Sequence, residues 1–392
     1  MHPLDNTPLT DTTEGAEACA FPLPASRLRP DLLPPRLNSE RRRILVAMSG
    51  GVDSSVTAAL LHEQGHEVIG VTLQLYDHGA AVGRKGACCA GEDIHDARRV
   101  ADRIGIPHYV IDAEQRFRDA VIQPFADAYA AGQTPVPCIA CNQTVKFTDL
   151  IDLVGDLGAD FLATGHYVQR FDGDEGAELH RAVDPTRDQS WFLFATTRKQ
   201  LDRCLFPLGG FASKDEVRAE AERLGLVVAR KPDSQDICFV PNGSYADVVA
   251  KFRPDAMQPG EIVDRDGQVL GRHEGIARYT IGQAKRLGAA QSAETRRVVV
   301  GLDPVTKRVV VDTAPPETAT IRLRDVNWLT APRDLDCTVK LRSAETLRPA
   351  LVRHDEHGVR VELDAPARIA AGQACVFYDG ERVLGGGFIK AN

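Results

Sequence analysis

Over the first half of the chain, short apolar runs alternate with longer amphipathic stretches; over the last third, apolar and polar residues alternate one by one. Ile44-Leu45-Val46-Ala47-Met48 has the length and β-branched content of a strand buried on both faces. Val56, Ala59 and Leu60 then share one face of a helix expected over 55–65, with Gly65 as its stop. Residues 68–73, 108–112 and 161–164 read as further strands, and 92–104, 117–131 and 147–157 as helices between them. This alternation predicts a doubly wound parallel sheet. Ligands of such sheets bind beyond the strand C-termini, so the loops after Met48, Leu73 and Thr164 should ring one crevice.

Segment 198–225 is more helical, with Ser213 and Glu216 spaced as a capping box and Gly225 as the stop. From Gly260 the texture changes. Asp266-Gly267 and Asp303-Pro304 each separate two apolar-alternating runs, which predicts hairpins. Residues 338–342, 359–363 and 374–378 keep the period of two, as in a small barrel. The expected organisation is an extension over 1–40, an α/β domain over 41–240, a β-rich central domain over 241–315 and a β-barrel over 316–392. Removing 318–392 is expected to leave ligand binding by the α/β domain measurable.

The loop after the first strand reads Ser49-Gly50-Gly51-Val52-Asp53-Ser54. Its glycines let backbone approach an anion, and the following helix points free N–H groups at it. The serines add hydroxyl donors, and Asp53 can hold a metal or a hydroxyl. Gly-Gly alone is equally an ordinary strand-to-helix turn; the full string is far more selective. No Lys follows the glycines, so this is not the P-loop of kinases and GTPases. It resembles the pyrophosphatase loop of enzymes that cut ATP between the α and β phosphates and adenylate a substrate oxygen.

Composition narrows the setting. The 392 residues suit two or three domains. No apolar run approaches the ~18 residues of a membrane span. Residues 1–40 lack a secretory pattern, carry too many acids for a transit peptide, and are rich in proline, as in a disordered arm. The expected location is cytoplasmic, away from any membrane. The net charge of −8 points to no polyanion. Between Arg272 and Arg308, however, eight Lys and Arg face three acids. That strip is either a solvated mixed face or a surface for nucleic acid.

Nine cysteines in such a chain suggest metal binding or catalysis rather than a disulfide scaffold. Two prolines stiffen a loop that ends in Cys138-Ile139-Ala140-Cys141. A C-x-x-C pair serves as a redox dithiol, half a zinc site or part of an iron–sulfur site. The second pair of a four-thiolate zinc ribbon is missing. Cys238 stands alone between apolar residues, a setting that more often means packing. Cys88-Cys89 lie in a polar loop and read as non-catalytic.

Eight motifs occur together and in order: the loop at 49–54, Pro135-x-Pro137-Cys138-x-x-Cys141-Asn142, Lys146-Phe147, Ala163-Thr164-Gly165-His166-Tyr167, Asp188-Gln189-Ser190, Asp236-Ile237-Cys238-Phe239, Tyr279-Thr280-Ile281-Gly282-Gln283 and Gly385-Gly386-Gly387. The set resembles the bacterial tRNA-specific 2-thiouridylases, over nearly everything from Arg43 to Ile389. The resemblance implies an adenine-nucleotide α-hydrolase-like fold and ATP-dependent 2-thiolation of a wobble uridine. It implies ATP contacts at Ala47, Met48, Ser49, Gly50, Gly51, Val52, Asp53, Ser54, Leu73 and Gly165, with Mg²⁺ offsetting phosphate charge. Cys238 matches the family's persulfide carrier and Cys141 its partner, the two ending as a disulfide. Contacts to the target base match Val136, Pro137 and Cys138; contacts to tRNA match Arg187, Asp188, Gln189, Arg342 and Ser343.

Further implied partners are tRNAs of the Lys, Glu and Gln type and a sulfur-carrier or cysteine desulfurase protein. Two positions depart from the family. Cys138 replaces an Asp that some members carry as a candidate acid/base, which makes an iron–sulfur cluster on Cys138, Cys141 and Cys238 thinkable. Ser343 replaces a Tyr, so a stacking contact to RNA is missing. The alternatives are another adenylating, synthetase-type pyrophosphatase-loop enzyme and a non-catalytic tRNA-binding or redox protein.

Overall fold

The computed structural model describes residues 40–76, 89–233, 237–240, 244–291, 296–314 and 316–391. The arm over 1–39, Cys88, and Ser234, Gln235 and Asp236 of the Cys238 motif lie outside the described residues.

The chain begins as the apolar runs predict. Strand β1 (Arg43–Ala47) leads into helix α1 (Val52–Glu63), then β2 (Glu67–Gln74), α2 (Cys89–Ile104) and β3 (His108–Asp112). After a helical stretch ending in α3 (Gln123–Ala130) come α4 (Pro137–Cys141), a wide π-turn at Asn142–Asp149 and α5 (Leu150–Asp156). Then follow β4 (Phe161–Ala163), the hairpin β5 (Val168–Gly173) and β6 (Gly176–Arg181), β7 (Cys204–Leu205) and α6 (Lys214–Arg223). The sheet order is β3-β2-β1-β4-β7, all parallel. Ile44 and Val46 pack into one core and Leu45 into another on the opposite face, so β1 is covered on both sides.

Two local expectations change. The C-x-x-C segment is the first turn of a helix rather than a loop, with Pro137 at its first position, where a missing N–H costs nothing. At α6, Ser213 accepts from the Glu216 N–H as a cap should, but the Glu216 carboxylate reaches back to the N–H of Ala212.

The central domain holds helix α7 (Tyr245–Phe252) and a four-stranded sheet of β8 (Gly260–Val263), β9 (Val269–His273), β10 (Val298–Asp303) and β11 (Arg308–Asp312), in the order β10-β11-β8-β9. Both predicted hairpins are there. The last third is a closed antiparallel barrel of β12 (Thr318–Trp328), β13 (Leu335–Lys340), β14 (Arg348–Asp355), β15 (Gly358–Ala367), β16 (Ala374–Asp379) and β17 (Arg382–Ile389), sealed by β12 against β17.

This barrel is not a detachable module. Ala374, Val376, Tyr378 and Val383 share one apolar core with Trp191, Leu193, Phe194 and β4 residue Leu162. The Trp191 indole N–H donates to the carbonyl of Lys340 at 3.2 Å, and β6 pairs with β17. Deleting 318–392 would lay that core open to water, so the α/β domain is not expected to survive the truncation.

Candidate active site

The loop at 49–54 lies where the sheet order changes direction, between β1 and β4. A cleft of about 230 Å³ opens there, lined by Ala47 at the end of β1 and Met48, Ser49, Asp53 and Ser54 after it, by Val71 and Leu73 of β2, and by Thr164, Gly165 and His166 after β4. Leu75, Leu150, Gln189 and Lys146 also line it. Gly50, Gly51 and Val52 are not on it. Gly50 has φ +74°, and a Cβ there would sit 2.1 Å from the Asp93 carbonyl oxygen. Gly165 packs so closely on α1 that a Cβ would meet the Ser54 nitrogen at 2.9 Å. Glycine at 165 thus lets the loop after β4 close onto the first turn of α1, whose amides have no intrahelical acceptor and suit an anion.

Charge around the loop is organised by groups that sequence reading passed over. Asp53 Oδ1 accepts from the Tyr167 hydroxyl at 2.7 Å and pairs with Lys214 Nζ at 2.6 Å. Lys214 also reaches Asp233 at 3.0 Å, which binds Arg187 and Arg218 as well. Burial pushes the Asp233 carboxyl up, but Lys214 and Arg187 outweigh it and hold it below the usual range. A single network thus ties the loop to the segment leading toward Cys238. Lys231 binds Asp93, Asp96 and the Gly50 carbonyl, clamping the loop from the other side. Lys214 carried a readable signal: with Val217 and Ala221 it lies on the buried face of α6, where an ammonium needs partners.

Three thiols lie beyond Lys146. Cys138, exposed, and Cys141, buried, share one face of α4; Cys238 is exposed, and all three are free. Cys141 belongs to the same apolar core as Phe239 and Val240, which brings the Cys238 segment against α4. The π-turn begins at Cys141. Its wider winding swings Lys146 back toward the cysteine side, a device often found at functional sites. Desolvation by the surrounding side chains raises the pKa of all three thiols, of Cys238 to about 12, although Cys138 and Cys238 keep an exposed edge, and the Lys146 charge opposes the rise at each. The resting thiols are therefore protonated near neutrality, and alkylation of Cys238 by iodoacetamide should rise about tenfold per pH unit between pH 7 and 10. A rate that levels off near pH 8 would mean an ordinary, unburied thiol. His166 is pushed by burial, and further by Lys146, down to about 3, so it stays neutral.

The donor set for a metal is a separate matter. Among the described residues no three His, Cys, Asp or Glu side chains converge on a metal-sized space. The three thiols do not form cluster geometry here, and Asp53 already holds Tyr167 and Lys214.

The residues matched to RNA contacts fall into two settings. Val136 and Pro137 open α4, and their loop is held by the barrel: the Thr134 N–H donates to the Ala371 carbonyl at 2.8 Å, and Gln373 Nε2 donates to the Thr134 carbonyl. Arg187 is tied to Asp233, and Gln189 accepts from the Tyr167 N–H. Asp188 is fully buried, paired with Arg181 and bonded to Ala182 and Ser190, so it supports its neighbours rather than facing outward. It also helps wall a second cavity of about 450 Å³ with Arg181, Thr186, Lys340, Ser343 and Glu345. Lys340 is 93% buried there, and its ammonium has no hydrogen bond or ion pair among the described residues. Glu345 Oε2, in the same wall, is also unpartnered. Arg342 stands exposed at the rim, 3.5 Å from Glu345. In the central domain Arg278, Lys285 and Arg286 are exposed without ion-pair partners among the described residues.

A parallel sheet with this loop at its switch point, and cysteines across a shared lysine, define a pyrophosphatase-loop protein of the HUP type. Residues 42–242 match the family described as tRNA methyl transferase HUP domain, 246–313 its PRC-barrel domain, and 318–389 the aminomethyltransferase beta-barrel domain. The chain is 64% identical to the tRNA-specific 2-thiouridylase MnmA of Acidiphilium cryptum, over 88% of this chain and 99% of that protein. It is 62% identical to the one of Gluconobacter oxydans (89% and 99%) and 58% to that of Paracoccus denitrificans (89% and 91%). The chain belongs to the tRNA-specific 2-thiouridylase family. That membership decides against the synthetase-type and non-catalytic alternatives. No helix among the described residues is long and apolar enough to cross a membrane.

Proposed function

We propose that the protein, a tRNA-uridine sulfurtransferase by family, uses ATP to replace O2 of a wobble uridine by sulfur. The observation that carries this reading is Lys146, which lines the nucleotide cleft and acts on all three thiols. Uracil O2 is a poor leaving group; transfer of AMP to it makes one. ATP would lie with its base in the cleft and its phosphates on the first turn of α1, where the amides and the serine hydroxyls stabilise the charge that develops. Mg²⁺ would enter with the triphosphate.

Sulfur then arrives from Cys238 as a persulfide. Its terminal sulfur attacks C2, and AMP leaves. The Cys141 thiolate attacks Cys238 Sγ, which breaks the bond to the transferred sulfur and leaves 2-thiouridine. The product on the enzyme is a Cys141–Cys238 disulfide, reduced before the next cycle. The sulfur donor is a carrier or desulfurase protein that docks where Cys238 is exposed. An iron–sulfur cluster is the competing use of the same cysteines. Iron bound in anaerobically purified protein and lost in Cys138→Ser would favour it.

tRNA with a uridine at the wobble position, of the Lys, Glu or Gln type, would lie along the central basic strip and the barrel rim. Lys340, Arg181 and Arg342 supply phosphate contacts and Ser343 a hydroxyl. The expected result for Lys340→Met is roughly tenfold weaker tRNA binding and a log–log salt slope smaller by about one. Its melting temperature should stay close to the parent's, since the Lys340 ammonium has no ion pair among the described residues to lose. Unchanged affinity would remove this cavity from the RNA surface. The overall reading is tested by pyrophosphate release from ATP with and without a wobble-uridine transcript. Release that ignores tRNA would overturn it.

A further inference from the structure

Cys138 has no part in the two-cysteine cycle, yet the fold gives it a special place. It shares one helical turn with Cys141. Helix geometry sets the Cα atoms of such a pair about 5 Å apart, within the range a disulfide spans. Cys138 is exposed and Cys141 buried. The Cys141 core includes Phe239 and Val240, so Cys238 approaches the same turn of α4 from outside. Once Cys141 and Cys238 are joined, Cys141 sulfur lies beyond the reach of a bulky reductant. A dithiol reductant that attacks the exposed Cys238 sulfur competes with Cys138, which lies one helical turn from Cys141 and so attacks it at a far higher effective concentration.

The geometry points to Cys138 as the resolving thiol, which opens the Cys141–Cys238 disulfide and passes the oxidation to the exposed end of its own C-x-x-C pair. This rests on the persulfide route proposed above. The Cys138 thiolate attacks Cys141 Sγ. A Cys138–Cys141 bond forms, the Cys141–Cys238 bond breaks, and Cys238 departs as a thiolate that takes up a proton. No electrons are gained or lost in this exchange. A dithiol reductant then attacks Cys138, takes up the two oxidising equivalents as its own disulfide, and returns both cysteines as thiols. Cys238 is meanwhile free for the next sulfur. Lys146 serves this step too, since its charge favours the thiolate at Cys138 and at the departing Cys238.

The test is a single turnover of the full-length protein with ATP, a wobble-uridine transcript and inorganic polysulfide, without reductant. The reaction is quenched with alkylating agent and its disulfides are mapped by non-reducing peptide mass spectrometry. The parent protein should carry Cys138–Cys141 with Cys238 alkylated. In Cys138→Ser, whatever the rate of its first turnover, each 2-thiouridine formed should be matched by one Cys141–Cys238 disulfide and none at Cys138–Cys141. With thioredoxin as reductant, its later turnovers should fall at least tenfold. Cys141–Cys238 in both proteins, or equal later turnovers, would overturn the resolving role and leave the persulfide route standing. Thiolation in the parent without any disulfide would overturn that route itself. A Cys138→Ser protein with a slowed first turnover and unimpaired recycling would make Cys138 a wall of the base pocket only.

Discussion

Replacing Cys238 with serine should lower thiolation by about a thousandfold or more, the scale seen when a nucleophile is removed. tRNA-dependent AMP formation should continue, since the loop at 49–54 is held by Tyr167, Lys214 and Lys231 and not by Cys238. Cys141→Ser should be equally inactive but should stall differently. With no thiolate to attack Cys238 Sγ, the tRNA stays joined to the protein through sulfur, a covalent band that dithiothreitol releases. Cys238 is exposed and Cys141 buried, so the first substitution should leave the melting temperature unchanged and the second lower it by about 1 kcal/mol of stability. Radiolabelled tRNA on a denaturing gel, with and without reductant, reads both outcomes. A Cys238→Ser enzyme that still thiolates tRNA from an added sulfur donor would end the persulfide assignment.

Asp53→Ala should abolish AMP formation altogether. The carboxylate does more than face a ligand: it aims Tyr167 and draws Lys214, only 8% exposed along its side chain, toward the start of α1. Without it, Lys214 keeps Asp233 as its partner and swings from the nucleotide loop toward the Cys238 segment. The fold should persist, at a cost of about 1–2 kcal/mol for the lost charge-assisted bonds. Asp53→Asn separates the two parts of the role, because an amide still accepts from the Tyr167 hydroxyl but no longer pairs with Lys214. It should be as inactive as the alanine variant if the charge on Lys214 is what matters, and partly active if Tyr167 is. Pyrophosphate release from either variant at the parent rate would end the assignment of this loop to ATP.

Much of this protein follows from the sequence because its signals are local. A buried strand such as Ile44–Ala47 needs apolar residues on both faces, and the alternation of such runs with amphipathic helices leaves few topologies open. The glycines of the loop, the hairpin turns and the cap at Ser213 are written in neighbouring residues, and so are the motifs that carry the family. The winding around Cys141 was harder to read, since a π-turn has no composition of its own. What only the tertiary structure decided are the charges that meet across distance. Lys214 finds Asp53 across 161 positions and Lys231 finds Asp93 across 138. The barrel's claim on Trp191, which makes it inseparable from the α/β domain, spans 149. Lys340 reads from sequence as one more polar position on an alternating strand; only the packing of the barrel against the α/β domain sets it in a cavity wall beside Arg181 and Asp188. Periodicity reports which face of an element is apolar, but the partner of a charge is fixed by which elements the packed core brings together.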